Sequence, residues 1–375
     1  MLNKTIKHMK DLKIHFVLII IFFISCFCSK NNSRNQENNG IYEIVISHEL
    51  NNEIKASSFI EDYKIVQLST SNDNLIFQIS KVQYFKEKIY ILDSPGNCIF
   101  IFNNDGSFYK KLNKKGSGPG EYVQITDFYI DEDNLHVLDF TQQAILRYNR
   151  DLEFMTKTNF KSHGSKFIYH NKVYWSYNEP IFKNPDYQFS AFTKEGKVVN
   201  SFLDRNSMKH EYIWSGVNAF ALNGVDKYLS PQYNDTIYSI TNNSIKPEFV
   251  INFKDRKFPH NENINNYDIT NPSFPFLLKQ NFYKSDKYLV FDFIIKSKRW
   301  FCIHDMEKKS TKSGLINNDL IKDFRFFPRW GNDGFLIEEL GSEILLEHFN
   351  SSPQFEKCIN VTEDDNPLII IYKLK

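Results

Sequence analysis

The chain has 375 residues, of which 24% are charged and 16% are aromatic. Its 46 Lys and Arg residues balance 45 Asp and Glu residues, so the formal charge is +1, which argues against nucleic acid as the main partner. Only 12 Pro and 14 Gly residues are present, which excludes a fibrous or disordered chain.

The first 25 residues have the pattern of an export signal. A lysine-rich stretch precedes an unbroken apolar run over residues 16–24, which is shorter than the roughly 20 residues of a membrane-spanning helix and fits a signal peptide. Ser25 and Cys26 then end the segment like a bacterial lipobox, although Phe23 replaces the usual leucine. We predict that residues 1–25 are a lipoprotein signal peptide and that Cys26 carries lipid; an uncleaved anchor is the alternative.

Residues 29–40 are polar, and residues 26–40 are predicted to be a flexible tether. After them, residues 89–108 and 135–154 repeat each other at a constant offset of 46 residues, with Asp93 aligned on Asp139. Both copies alternate apolar and polar residues as paired strands do. A repeat of about 40 to 50 residues built from short strands indicates a β-propeller blade.

A glycine-rich stretch, GSGPGEY at residues 116–122, lies between the two copies. Gly116, Gly118 and Gly120 can adopt backbone angles closed to other residues, so we interpret the stretch as a loop that crosses between blades. An anion-binding nest of backbone N–H groups is the alternative. Glu121 is a candidate for the central channel, where it would bind a cation, or for a hydrogen bond to a neighbouring blade.

Short predicted strands continue at a regular spacing to the C-terminus, which predicts one domain over residues 41–375. The six predicted blades cover residues 81–112, 123–159, 165–203, 217–253, 281–315 and 322–350. The sixth needs strands from both chain ends, because residues 369–374 and the strands before residue 70 have no local partner. We therefore expect an all-β, six-bladed propeller of four-stranded antiparallel blades. Residues 254–280 interrupt this regular spacing of strands. They are predicted to be either a solvated loop or a cover for the mouth of the central channel.

Four motifs together resemble one family: GSGPGEY, the repeated LD…I…[FY]N, YLSPQYNDTIYSI at 228–240 and DNPLIIIYKLK at 365–375. They resemble the NHL-repeat-like, six-bladed β-propeller lipoproteins of Gram-negative, Bacteroides-type bacteria. The resemblance implies a cell-envelope location and supplies no catalytic residues. No acidic run follows Cys26; because such a run marks surface export in some of these bacteria, we expect an outer-membrane anchor facing the periplasm.

No residue pattern predicts catalysis or a cofactor. Asp93 and Asp139 recur with the repeat and are interpreted as hydrogen-bond acceptors that stabilise the blades, with a metal or acid–base role as the alternative. Cys98, Cys302 and Cys358 form no CxxC pair and are predicted to be buried thiols. The four tryptophans fall in different blades, where they pack in the core or line a sugar- or peptide-binding mouth.

Two functions are consistent with these features. The first is a lipid-anchored, monomeric ring that acts as a binding or scaffold module for a peptide, glycan or protein partner. The alternative is a calcium-dependent enzyme of the lactonase or lyase kind, with a metal in the central channel. Three or more Asp, Glu, Asn or His side chains meeting at the channel axis would favour the enzyme.

Overall fold

A computed structural model describes residues 37–38, 40–46, 52–160, 164–178, 186–204, 218–231, 234–259, 262, 266–268, 271, 273–295, 298–349, 352–358 and 360–375. Within these residues, 27 β-strands form six sheets. The predicted signal peptide and Cys26 lie outside the described residues. The six sheets are the blades of a propeller, as the sequence predicts.

Strands are numbered along the chain. The N-terminal segment contains β1 (Glu37–Asn38), β2 (Ile41–Val45), β3 (Asn52–Lys55) and β4 (Ile60–Gln67). Blade 1 contains β5 (Ile79–Phe85), β6 (Lys88–Asp93), β7 (Cys98–Asn103) and β8 (Phe108–Leu112). Blade 2 contains β9 (Ile125–Ile130), β10 (Asn134–Asp139), β11 (Ala144–Asn149) and β12 (Phe154–Asn159). Blade 3 contains β13 (Gly164–His170), β14 (Val173–Asn178), β15 (Tyr187–Phe192) and β16 (Val198–Asp204).

The second half of the ring continues the order. Blade 4 contains β17 (Phe220–Asn223), β18 (Asp226–Leu229), β19 (Thr236–Thr241) and β20 (Ser244–Asn252). Blade 5 contains β21 (Lys279–Lys284), β22 (Tyr288–Ile295), β23 (Lys298–Asp305) and β24 (Ser310–Asn317). Blade 6 begins with β25 (Trp330–Asn332), β26 (Phe335–Leu340) and β27 (Leu368–Leu374). Short helical turns lie at Ala56–Ser58, Lys254–Arg256, Ser342–Ile344, Leu345–Phe349 and Pro353–Phe355.

The ring closes in blade 6 through both ends of the chain. Strand β27 lies between β26 and β4, with Leu368 paired to Leu340 on one side and to Gln67 on the other. This confirms the predicted closure. The blade differs from the predicted 322–350 segment in one respect, because residues after Leu340 leave the sheet and the chain returns only at Leu368.

The N-terminal segment also lines the outside of two other blades. Strand β2 pairs in parallel with β20 of blade 4, and β3 pairs in parallel with β24 of blade 5. These two sheets are therefore mixed and have more than four strands, whereas the sequence predicted four antiparallel strands throughout. The added strands find partners about 200 to 260 residues away along the chain, so no local pattern could reveal them.

The core lies between consecutive blades. One cluster of buried apolar residues joins blades 1 and 2, and another joins blade 6 to blade 1, where Trp330 and Ile369 pack with Val82 and Phe100. Because each blade buries its faces against two neighbours, the ring has no exposed end. Cys98 and Cys302 are buried and Cys358 is half-buried, all as free thiols.

Asp93 and Asp139 make the same contacts in blades 1 and 2. Asp93 accepts the backbone N–H of Phe77 at 2.8 Å and of Gly96 at 2.9 Å. Asp139 accepts the N–H of Val123 at 2.6 Å and of Gln142 at 3.0 Å. Each carboxylate therefore joins a residue 16 positions before it to one three positions after it, in agreement with the predicted stabilising role.

Candidate functional site

A cavity of about 680 Å³ lies where the six blades meet, and residues of all six line it. The innermost strands are β5, β9, β13, β17, β21 and β25, each at one edge of its sheet. Concave sites of roughly 300–1,000 Å³ with a few convergent polar groups are the usual ligand sites of proteins. The central cavity is therefore the candidate site.

An ion pair between blades 1 and 2 forms one wall. The Lys81 Nζ lies 2.6 Å from Asp127 Oδ1, and the Asp127 side chain is only 4% exposed. The other carboxylate oxygen, Oδ2, accepts the backbone N–H of Phe167 in blade 3 at 2.9 Å. Lys81 and Asp127 are 46 residues apart, the repeat offset, so they occupy equivalent positions on adjacent blades.

A second ion pair, with both side chains buried, lies in blade 5. Arg299 Nε donates to Asp292 Oδ2, and the two side chains are 6% and 1% exposed. Burial disfavours the charged guanidinium, but Asp292 beside it holds the pKa of Arg299 above its ordinary value. The guanidinium carbon lies 4.4 Å from the centroid of the Phe327 ring and 4.9 Å from that of Phe301. Among the described residues, Arg299 Nη2 has no hydrogen-bond partner.

Side-chain amides join the inner strands to one another. Gln83 of blade 1 donates to the Ile130 carbonyl at 3.4 Å and accepts the Ile130 N–H at 3.3 Å. Asn332 of blade 6 pairs in the same way with the backbone of Tyr84, at 2.7 and 3.2 Å. Because each amide satisfies both backbone groups of a neighbouring strand, the cavity wall is fixed around this part of the ring.

Five Asp and Asn side chains line the cavity, namely Asp127, Asn218, Asn281, Asp292 and Asn332, which is more than the three that would favour the enzyme. Their contacts do not fit a calcium site, because Asn281 is hydrogen-bonded to Asp292 and Asn332 to the backbone of Tyr84. Ca²⁺ binds six to eight oxygen ligands, several of them carboxylates. Asp127 and Asp292 are the two carboxylates of the described lining, and each is already paired with a cation. Across the described part of the chain, no three His, Cys, Asp or Glu side chains come together.

Glu338 lies behind this wall. It is 5% exposed and its Oε2 accepts the backbone N–H of Phe327 at 2.9 Å. Burial raises the pKa of Glu338 to about 8. Burial therefore favours the protonated form of this carboxyl group, whereas the nearby Arg299 and Arg325 favour its charged form.

The raised pKa of Glu338 predicts a pH-dependent stability. The folded state keeps the proton up to about pH 8, whereas an unfolded Glu loses it near pH 4.3. The stabilising contribution is complete below the unfolded pKa and falls as pH rises toward 8, by at most about 1.4 kcal/mol per pH unit. Thermal melts between pH 5 and 8 should show this slope relative to Glu338→Gln, which lacks the group.

The exposed Glu307, whose side chain is 68% exposed, provides a control. Glu307→Gln should retain the wild-type pH slope. Identical slopes for the wild type and Glu338→Gln would contradict the protonated state of Glu338.

The glycine-rich loop lies between blades 1 and 2, and none of its predicted site residues lines the described cavity. The Glu121 carboxylate accepts the N–H of Gly118 at 2.9 Å, within the loop itself. Gly116 N–H donates to the Tyr122 carbonyl at 2.9 Å. The Gly120 carbonyl accepts the Tyr148 hydroxyl at 2.9 Å. These contacts suit a loop that crosses between blades.

Gly120 has a φ of +75°, and an added Cβ would lie 2.7 Å from Phe154. Gly120→Ala should therefore destabilise the fold by about 1–3 kcal/mol, from backbone strain and crowding. Gly224 is the control, because it has a φ of +55° and nothing lies within 4 Å of an added Cβ. Gly224→Ala therefore adds backbone strain without crowding. Chemical denaturation of both variants measures the difference, and equal losses would contradict the crowding by Phe154.

The tryptophans and the 254–280 insertion were also predicted to lie in the core or at the channel mouth. Trp330 lines the cavity, whereas Trp175 is fully buried in the core and Trp214 lies outside the described residues. In the 254–280 insertion, the described Phe258, Tyr267, Phe274 and Phe276 pack with one another. None of these four lines the cavity, so a cover for the channel mouth remains a prediction.

Neither ion pair of the cavity wall belongs to a motif that predicts it. Arg299 and Asp292 belong to no motif, and their proximity depends on the pairing of β22 with β23. The Lys81–Asp127 pair could be recognised in the sequence, because the two residues are separated by the repeat offset. Residues of opposite charge at equivalent positions of adjacent blades indicate an ion pair between those blades.

Comparisons with known proteins place the chain in a structural context. A family model described as "Domain of unknown function (DUF4934)" matches residues 41–373. A crystal structure described as a "Putative exported protein" from Bacteroides fragilis NCTC 9343 has a TM-score of 0.70 at 17% identity and covers 88% of this chain and 100% of its own. A member of the DUF4221 family from Bacteroides vulgatus has a TM-score of 0.50 at 11% identity, with coverages of 84% and 97%.

At these identities, the two likenesses concern the fold alone. The curated proteins contain no match to the chain. Within its described residues, no helix is long and apolar enough to cross a membrane.

Proposed function

The chain belongs to the DUF4934 family, and we propose that it is a cell-envelope binding module that takes part of a peptide, glycan or protein partner into its central cavity. The observation that carries this proposal is the two ion pairs on the cavity wall, Lys81–Asp127 and Arg299–Asp292, in which the side chains of Asp127, Arg299 and Asp292 are at most 6% exposed. Removing charges from water costs several kcal/mol per ion, and apolar residues of similar size often stabilise a fold equally well. Charged groups kept at the wall of a cavity are therefore better explained by recognition than by stability.

A cavity-blocking variant tests this proposal. Ser80 lines the cavity and is half-buried, so Ser80→Trp should occupy the binding volume. Thr156 is exposed on the outer strand β12, and Thr156→Trp is the matched control. On arrays of peptides and glycans, we expect binding by the wild type and Thr156→Trp, and loss of binding by Ser80→Trp. The Ser80→Trp variant should still melt cooperatively, although it loses the hydrogen bond from the Ser94 N–H. Equal binding by all three, or no wild-type binding at all, would contradict the proposal.

The calcium-dependent enzyme predicts a different result. If that alternative held, a calcium chelator would abolish ligand binding or turnover. Our proposal expects binding that is insensitive to the chelator, because the cavity carboxylates are paired with Lys81 and Arg299.

The proposed location is the periplasmic face of the outer membrane, with lipid on Cys26. It is supported by the lipobox-like sequence and by the description of the Bacteroides fragilis structure. Cys26→Ser should move the protein from the membrane fraction to the soluble fraction of fractionated cells, because the lipid is the expected anchor. Cys28→Ser is the control and should remain with membranes. A Cys26→Ser protein that stays with the membrane would place the anchor elsewhere.

A further inference from the structure

We infer that Leu75 and Phe77 form an apolar strip at the rim of the central cavity, and that this strip docks an apolar side chain of a peptide segment that enters the cavity. This inference rests on the proposed function and selects a peptide segment over a glycan as the ligand.

The rim position of Phe77 follows from its place in the chain. The next residue, Gln78, lines the cavity and directly precedes β5, the innermost strand of blade 1. Asp93 accepts the backbone N–H of Phe77 at 2.8 Å. Val123 of blade 2 is held in the same way by Asp139, at 2.6 Å. The repeated aspartate therefore fixes the backbone of Phe77 beside the lining of the cavity.

The two side chains of the strip are exposed to solvent. Phe77 is 78% exposed and Leu75 is 42% exposed, whereas Ile76 between them is buried. Removing apolar surface from water is favourable, and aromatic residues are enriched in the cores of protein interfaces. A ligand that covers this strip therefore gains free energy that the folded chain alone does not obtain.

Hydrogen bonds hold the loop that carries the strip. The buried Asn366 side chain accepts the backbone N–H of Ile76 at 2.8 Å. It also donates to the carbonyls of Ser69 and Asn74, at 2.9 and 3.0 Å. Because the loop is ordered before any ligand arrives, binding to it costs little additional conformational entropy.

The chemistry of the strip favours a peptide over a glycan. A sugar stacks its flat face on an aromatic ring, and Leu75 has no ring, whereas an apolar side chain packs on leucine and phenylalanine alike. Gln78 connects the strip to the cavity, and its side-chain amide has no hydrogen-bond partner within the described chain. An amide offers N–H donors and a carbonyl acceptor, which are the groups that pair with a peptide backbone.

A positional-scanning array of N-acetyl hexapeptide amides measures the preference. In each sub-library, one position holds a single amino acid and the other positions hold mixtures. At one position, the wild type should bind peptides with Phe, Leu or Met about tenfold more tightly than peptides with Ser, the factor expected for burying an apolar side chain.

Variants then locate the preference. Phe77→Ser should reduce it to about twofold or less, and Leu75→Ser should weaken it by a smaller factor, because Phe77 offers the larger apolar surface. Both residues are exposed, so both variants should melt like the wild type. Val225→Ser is the matched control, because Val225 is 84% exposed and lies in the turn after β17 of blade 4. This variant should keep the wild-type preference.

Four results would overturn the inference. They are a wild type without an apolar preference at any position, a Phe77→Ser variant that keeps the full preference, binding restricted to glycans, and a wild-type dimer in sedimentation that Phe77→Ser converts to a monomer. The dimer would mean that a second copy of the chain covers the strip. Binding of any array ligand that Ser80→Trp abolishes would leave the proposed function standing, so the two failures are distinguishable.

Discussion

Deletion of residues 368–375 is expected to abolish folding. The deletion removes β27, an interior strand of blade 6 that is hydrogen-bonded to β26 on one side and to β4 on the other. Five consecutive side chains, Leu368 to Tyr372, are at most 5% exposed. Burying each is worth about 1.5–3 kcal/mol, so their loss is comparable with the net stability of a whole domain, about 5–15 kcal/mol.

Far-UV circular dichroism and thermal melting measure the outcome. The truncated chain should show no cooperative transition. Lys373 is the exposed member of the same strand, paired at the surface with Glu61, and Lys373→Ala should change stability by no more than about 1 kcal/mol. A truncated chain that melts like the wild type would mean that the ring does not close through β27.

Replacement of Asp139 by alanine is expected to cause the second largest loss. Its fully buried carboxylate accepts the N–H groups of Val123 and Gln142. Alanine would leave both donors without their acceptor, at about 1–3 kcal/mol each. Asp93→Ala should cost a similar amount, because Asp93 makes the equivalent contacts in blade 1.

Chemical denaturation of these variants gives the free energy of unfolding directly. Asp151 is the matched control, since its side chain is 74% exposed and it pairs with Lys110 at the surface. Asp151→Ala should lie within about 1 kcal/mol of the wild type. If Asp139→Ala were as stable as Asp151→Ala, the repeated aspartate would not be a structural element of the blades.

Local patterns explain why most of the fold could be predicted. The 46-residue offset, visible in Asp93 and Asp139, reflects blades built from strands that are neighbours in the sequence. The parallel additions β2 and β3 could not be predicted, because their partners are remote in sequence. Closure through β4 and β27 was predictable because a ring leaves no unpaired edge.

The candidate site was harder to predict than the fold. The glycine-rich motif supplied the candidate site residues in the sequence. In the structure, Gly118 and Glu121 bind each other and do not line the cavity. The wall of the cavity is formed by single residues from different blades, such as Asp127 and Arg299, which come together only in the closed ring. Motif recognition depends on residues that are close in sequence, whereas this site depends on ring closure.

Hydrogen–deuterium exchange with a ligand from the array screen tests the central claim, that the propeller binds its partner through the central cavity. We predict slower exchange on binding in the inner strands β5, β9, β21 and β25, which bear or adjoin the lining residues. The outer strands β8, β12 and β16 should be unchanged. Slower exchange confined to these outer strands would contradict the account.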